Sequence, residues 1–128
     1  MQIRDATVDD AAALATLADD DLDAVRLVRD RSVRVAEREG DVAGFVAFDA
    51  WRGTVHVTRV DGDPDAVGRL LDEPCAFAER EGLPVEVVLV EGDGLADVLD
   101  DVGFEEVGPG PMFDGDRTRR YRCEPAAD

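Results

Sequence analysis

The sequence predicts a single mixed α/β domain over residues 1–128, built around a central sheet. Three observations carry that prediction. Apolar residues recur at helical spacing between Val8 and Val28. Three strand-like runs follow one another between residues 33 and 60, with only turn residues between them. Helical and strand patterns then alternate to the end of the chain, which fits a layered α/β arrangement.

The elements follow in order. Gln2 to Ala6 reads as a short strand. Thr7 suits an N-cap, and Asp9 and Asp10 complement the positive end of the next helix. Ala11, Leu14, Ala15, Ala18, Leu22, Val25 and Val28 form its apolar stripe. Asp19, Asp20 and Asp21 are expected to split this stretch into two helices, and Arg31-Ser32 closes it. Val33 to Glu37 alternates, and Arg38-Glu39-Gly40-Asp41 turns the chain into the more apolar run Val42 to Phe48. Trp51-Arg52-Gly53 leads into Thr54 to Val60, completing an antiparallel meander. Asp63 and Pro64 suit the N-cap and first position of a helix that buries Val67, Leu70, Leu71 and Ala78 and stops at Gly82. Pro74 inside it predicts a kink or a restart. Val85 to Val90 reads as a strand covered on both faces. Leu95 to Val102 is a short helix stopped by Gly103, and Phe104 to Val107 and Arg117 to Cys123 are two closing strands.

Composition narrows the function. The net charge is -17, from 31 acidic and 14 basic residues, and every basic residue is Arg. The acidic residues are scattered and do not form a tail, so a patch evolved for one basic partner is not the pattern. Dispersed acid without Lys is what a cytoplasmic protein of a salt-rich interior needs, because molar salt shortens the Debye length to about 3 Å and removes the self-repulsion. Nucleic-acid binding is excluded by the want of a basic footprint. The opening MQIRDATVDD has no signal-peptide layout, no apolar run approaches membrane-spanning length, and Cys75 and Cys123 have no metal-ligand spacing. The expected protein is cytoplasmic, with no membrane partner and no metal.

Specific stretches carry a family resemblance. QIRDATVDDAAALATL, VRVAEREGDVAGFVAF, AFAEREGLPVEVVLV and ADVLDDVGFEEVG stand in the order of the first strand and helix, the paired strands with a mid-strand Gly, the central helix with the fifth strand, and the closing helix with a Gly-Phe corner. In this the chain resembles the GNAT acyltransferases over nearly its whole length. The resemblance implies a mostly antiparallel sheet flanked by helices, with splayed fourth and fifth strands. It implies transfer of an acetyl group from acetyl-CoA to a small-molecule or protein amine, without a covalent enzyme intermediate, and it allows a homodimer. Backbone around Thr58, Arg59 and Val60 would face the acetyl and pantetheine groups, and Ala66, Val67, Gly68 and Arg69 would hold the pyrophosphate at a helix N-terminus.

Three positions depart from the family pattern. In DPDAVGRLL, Gly68 matches the last glycine of the phosphate loop, but Ala66 replaces the first and Asp63 replaces a usual Gln or Arg. Asp63 and Asp65 would flank the pyrophosphate and repel it by about 1 kcal/mol or more in dilute buffer. The helix Tyr that serves the family as general acid is Leu99 here, and the single tyrosine, Tyr121, matches no motif. His56, the only histidine, and Glu37 are the candidate general bases. Each has a plainer role available: His56 as a packed strand residue, Glu37 as a solvated acid. Gly68 equally suits close helix packing. Arg117, Arg119, Arg120 and Arg122 suit the 3′-phosphate of CoA or an acidic acceptor, but also the surface carboxylates around them. The cysteines read as small fillers. The phenylalanines at 45, 48, 77, 104 and 113 read as core, with Trp51 at a pocket mouth. A non-catalytic GNAT-fold module for binding or dimerisation is the alternative function. A different α/β small-molecule binder, sharing this element order by coincidence, would lack the notch between the fourth and fifth strands.

Overall fold

Two tight hairpins organise the first half of the sheet. They join β2 (Ser32–Arg38) to β3 (Asp41–Trp51) and β3 to β4 (Thr54–Gly62). Glu39-Gly40 and Arg52-Gly53 take positive φ at both positions, between 53° and 84°, the geometry that matches the twist of paired strands. β1 (Gln2–Asp5) adds to the outer edge of β2. The computed structural model describes residues 1–18, 22–92, 94–112 and 115–125.

Helices α1 (Ala11–Ala18) and α2 (Ala24–Asp30) interrupt β1 and β2. A 3₁₀ turn at Val8–Asp10 precedes α1. The Asp10 carboxylate accepts the Thr7 N–H at 2.8 Å and a two-pronged bond from Arg4, at 2.9 Å to each oxygen. Ala11, Leu14, Ala15 and Ala18 of the stripe lie in α1 and Val25 and Val28 in α2, as expected, with Leu22 ahead of α2; the three aspartates themselves lie outside the described residues. Phe113 does too.

After β4 come α3 (Pro64–Glu81), β5 (Val85–Val90), α4 (Ala96–Val102), β6 (Glu105–Pro109) and β7 (Thr118–Cys123). Among the described residues the strands form one sheet in the order β1-β2-β3-β4-β5-β7-β6. Every neighbouring pair is antiparallel except β4 with β5. The meander and the mixed α/β reading both hold.

The two faces of the sheet are covered unequally. α3 and α4 bury one face through Leu70, Leu71 and Leu99 against Val46, Val55, Val57, Val85 and Val87. Alternation turns the other residues of each strand to the opposite face. There α1 and α2 close over β2 and β3, where Leu14 and Ala24 pack on Val33, Val35, Phe45 and Ala47, and the end of α1 reaches β4 at Arg59. Over β5 and β7 that face is open, and Val88 is 42% exposed. None of the described helices is long and apolar enough to cross a membrane.

Gly44 sets how closely α3 can sit. A Cβ there would lie 2.9 Å from the Asp61 carbonyl oxygen and 3.2 Å from the Ala66 and Leu70 side chains. Of the kink or restart expected at Pro74, the restart is corrected, since α3 runs unbroken from Pro64 to Glu81. Pro74 forfeits one backbone bond, but it is buried on the same stripe as Leu70, Leu71 and Ala78, and that burial outweighs the loss.

Candidate functional site

The sheet opens between its only two parallel neighbours. β4 and β5 pair through Val55, His56 and Val57 opposite Val85, Glu86 and Val87, and there the pairing stops. Beyond it, 58–62 of β4 and 88–90 of β5 continue as strands whose facing edges have no strand between them. The divergence has a local cause. Phe48 pairs with Val57 and Ala47 with Arg59, so Thr58 is an extra residue in β4. Such a bulge bends its strand and raises its twist. The Thr58 hydroxyl fastens it by donating to the Ala47 carbonyl at 3.2 Å.

The open face beside this notch carries a row of polar residues that register aligns across four strands. Asp49 on β3 stands opposite His56 on β4, His56 opposite Glu86 on β5, and Glu86 opposite Arg122 on β7. Arg31 holds Asp49 at 2.9 Å, and Arg122 holds Glu86 at 2.7 Å with Arg120 at 3.9 Å. Trp51, 61% exposed, places its ring 6.2 Å from His56. His56 thus sits one register step from a carboxylate on either side, each anchored by its own arginine. The sequence reading missed Glu86. The signal available was its place as the one acid in an otherwise apolar strand, VEVVLV.

At the far end of the notch, the first turn of α3 is closed by its own N-cap. The Asp63 carboxylate accepts the Ala66 N–H at 2.9 Å, and the Asp63 carbonyl accepts the Val67 N–H at 2.9 Å. Arg38, from β2, reaches both Asp63 oxygens at 2.9 and 3.4 Å and Asp65 at 3.3 Å. The Arg38 guanidinium and the Ala66 amide hold the Asp63 carboxyl below the usual carboxylate range. Ala66 and Val67 are buried against the sheet, and Arg69 is exposed.

No protein-family model matches the chain, and comparison with curated proteins returns no match either. Solved structures do match. The chain is similar to the ribosomal-protein-alanine N-acetyltransferase of Brucella melitensis, with a TM-score of 0.75, 20% identity, and 97% of this chain and 99% of that chain covered. It is similar to the ribosomal-protein-S18-alanine N-acetyltransferase of Escherichia coli, with a TM-score of 0.76, 15% identity, and coverage of 99% and 96%. A Bacillus anthracis structure described as a streptothricin acetyltransferase in complex with acetyl coenzyme A matches at a TM-score of 0.61 and 11% identity, over 73% of this chain and 62% of that one. The chain has the GNAT fold.

Within the GNAT fold the remaining sequence-predicted residues sort by position. Thr58, Arg59 and Val60 line the β4 side of the notch. Arg59 also donates to Asp61 at 3.1 Å and to the Ala18 carbonyl at 3.4 Å, tying the end of α1 to the splayed strand. Gly68 lies inside α3, and a Cβ there would meet only Val98 of α4, at 3.7 Å. Glu37 is not brought to His56. It faces Val42 near the start of β3, whereas His56 faces Asp49 near its end, and Arg4 holds Glu37 at 3.1 Å. Leu99 is a core residue, and Tyr121 is buried in the same cluster. Arg119, Arg120 and Arg122 pair with Glu91, Glu106, Glu86 and Glu124, the plainer of their two readings. Phe45, Phe48 and Phe104 are buried. Burial pushes the Cys75 thiol up to about 12 and raises Cys123 as well, which suits fillers and not nucleophiles.

Proposed function

We propose that the chain is a GNAT-type N-acyltransferase, with acetyl-CoA as acyl donor and an amine, small molecule or protein, as acceptor. The observation that carries this reading is the notch, where the β4 bulge at Thr58 separates two strand edges beside an open sheet face bearing His56. A pantetheine arm between such edges can bond to backbone without needing particular side chains.

On the open face His56 is the group suited to take a proton from the acceptor ammonium, and Glu86 is suited to bind that cation before transfer. The amine nitrogen then forms its bond to the acyl carbon as the carbon–sulfur bond breaks. The departing thiolate takes up, through water, the proton that the nitrogen loses as the amide forms, since Leu99 offers none. Acetyl-CoA fits this structure unequally: the notch suits its arm, but the α3 donors that would receive its pyrophosphate are engaged by Asp63.

That engagement favours a second reading, a GNAT-fold module that binds a partner and transfers nothing. The scattered acid supports a cytoplasmic protein of a salt-rich interior, so assays belong in about 2–3 M KCl. Calorimetry with acetyl-CoA, followed by thiol release over a panel of amines, separates the two. The transferase reading expects binding, and turnover that His56→Gln lowers by about a hundredfold with binding unchanged. A folded protein that binds no acetyl-CoA leaves the non-catalytic module.

A further inference from the structure

The entrance of α3 lacks what a phosphate would need. Pro64 at the first helical position has no N–H, and the Ala66 and Val67 amides are bonded to Asp63 at 2.9 Å each. Arg38, which reaches this turn from β2, is committed to Asp63 and Asp65. Arg59 is likewise committed to Asp61. An anion brought here meets three aspartates and a helix turn whose dipole already faces a carboxylate. Arg69, exposed on the second turn of α3, has no ion pair to this cluster among the described residues. The notch, by contrast, is bounded by the strand edges 58–62 of β4 and 88–90 of β5.

Resting on the acyltransferase reading above, we propose that this chain grips its acyl donor through the pantetheine arm alone, with Asp63 standing where the donor's pyrophosphate would otherwise bind. The donor class is then any acyl-pantetheine thioester, and the nucleotide half of acetyl-CoA is carried along without being recognised.

Pantetheine and CoA, titrated separately by calorimetry at one salt of about 2–3 M KCl, test this directly on the unaltered protein. The expected dissociation constants agree within about threefold. Asp63→Gly, which keeps a residue tolerated at an N-cap, frees the Ala66 amide and leaves Arg38 with Asp65 alone, and CoA should then gain about tenfold over pantetheine. Arg38→Gln in the otherwise unaltered chain should not weaken CoA. A wild-type preference for CoA of about tenfold or more overturns the inference while leaving the transferase reading intact. An absence of gain in a folded Asp63→Gly overturns the role given to Asp63. Failure of both ligands to bind removes the transferase reading, and this one with it.

Discussion

The notch between β4 and β5 and the first turn of α3 are neighbours built on different principles. The notch is a backbone feature, produced by one extra residue in β4 and by pairing that ends at Val57 and Val87. The α3 turn is a side-chain feature, decided by Asp63, Pro64 and Arg38. A fold fixes the first kind wherever the strands pair in this register, whereas three substitutions suffice to rewrite the second. The chain keeps the shape of its structural relatives at 11–20% identity because the shape depends little on which side chains line it. Fold likeness therefore speaks for the notch and is silent about the helix turn.

The strongest way to break the comparison is to damage what both regions share. Gly44 seats α3 against β3 and β4, and its missing Cβ faces a backbone oxygen at 2.9 Å, which cannot swing aside as a side chain could. Gly44→Val should cost about 3 kcal/mol in denaturation at molar salt. It should remove donor binding even where the protein remains folded. An unchanged midpoint would mean that α3 is free to shift, and the notch would lose its rigid wall.

Two carboxylates that cap helical turns sharpen the contrast next. Asp10, 8% exposed, and Asp63 each accept a backbone N–H and a two-pronged arginine, but the side chains of the Asp63–Arg38 pair are 40% and 43% exposed. Asp10→Asn should cost about 2 kcal/mol, because half-buried Arg4 loses its two-pronged partner and keeps only Glu37. Asp63→Asn should cost only roughly 0.5 kcal/mol, since Asn still caps and an exposed pair contributes little. Both carboxyls are held below their ordinary value, Asp10 chiefly by Arg4 and Asp63 chiefly by Arg38. Their stabilisation is complete above the unfolded value of about 4 and is lost as pH falls through the lower folded values. The deficit of Asp10→Asn relative to wild type should accordingly be constant from neutral pH to about pH 5 and shrink below about pH 4. A deficit that grew on acidification would put the stabilising charge elsewhere.

How much of this was legible in the sequence follows the same division. Strand and helix positions were readable because alternation in SVRVAER and the stripe of α3 are periodic, and Asp63-Pro64 announced the N-cap that the structure contains. The bulge at Thr58 was not, because nothing in TVHVTRV marks which residue is extra; only pairing with β3 decides it. Glu86 was passed over since a single strand does not reveal that His56 lies opposite, and nothing in VRVAER shows that Arg4 pairs with Glu37. Pro74 does not restart the helix because local propensity yields to burial on the sheet. Arg38 drew no notice, as its partner is twenty-five positions away.

Gly68 gives the smallest expected effect and the sharpest separation. If it serves helix packing, Gly68→Ala has room, because the new Cβ meets Val98 at an ordinary 3.7 Å. Removing glycine's extra unfolded freedom should then stabilise the protein by roughly 0.5–1 kcal/mol. CoA binding should not change, since on this account no phosphate approaches the backbone there. Gly68 as a phosphate cradle demands the opposite pairing of results, with CoA weakened about tenfold while pantetheine and stability hold. That outcome would show that the α3 turn opens when donor arrives, and the division between a preserved notch and a rewritten helix turn would have to be abandoned.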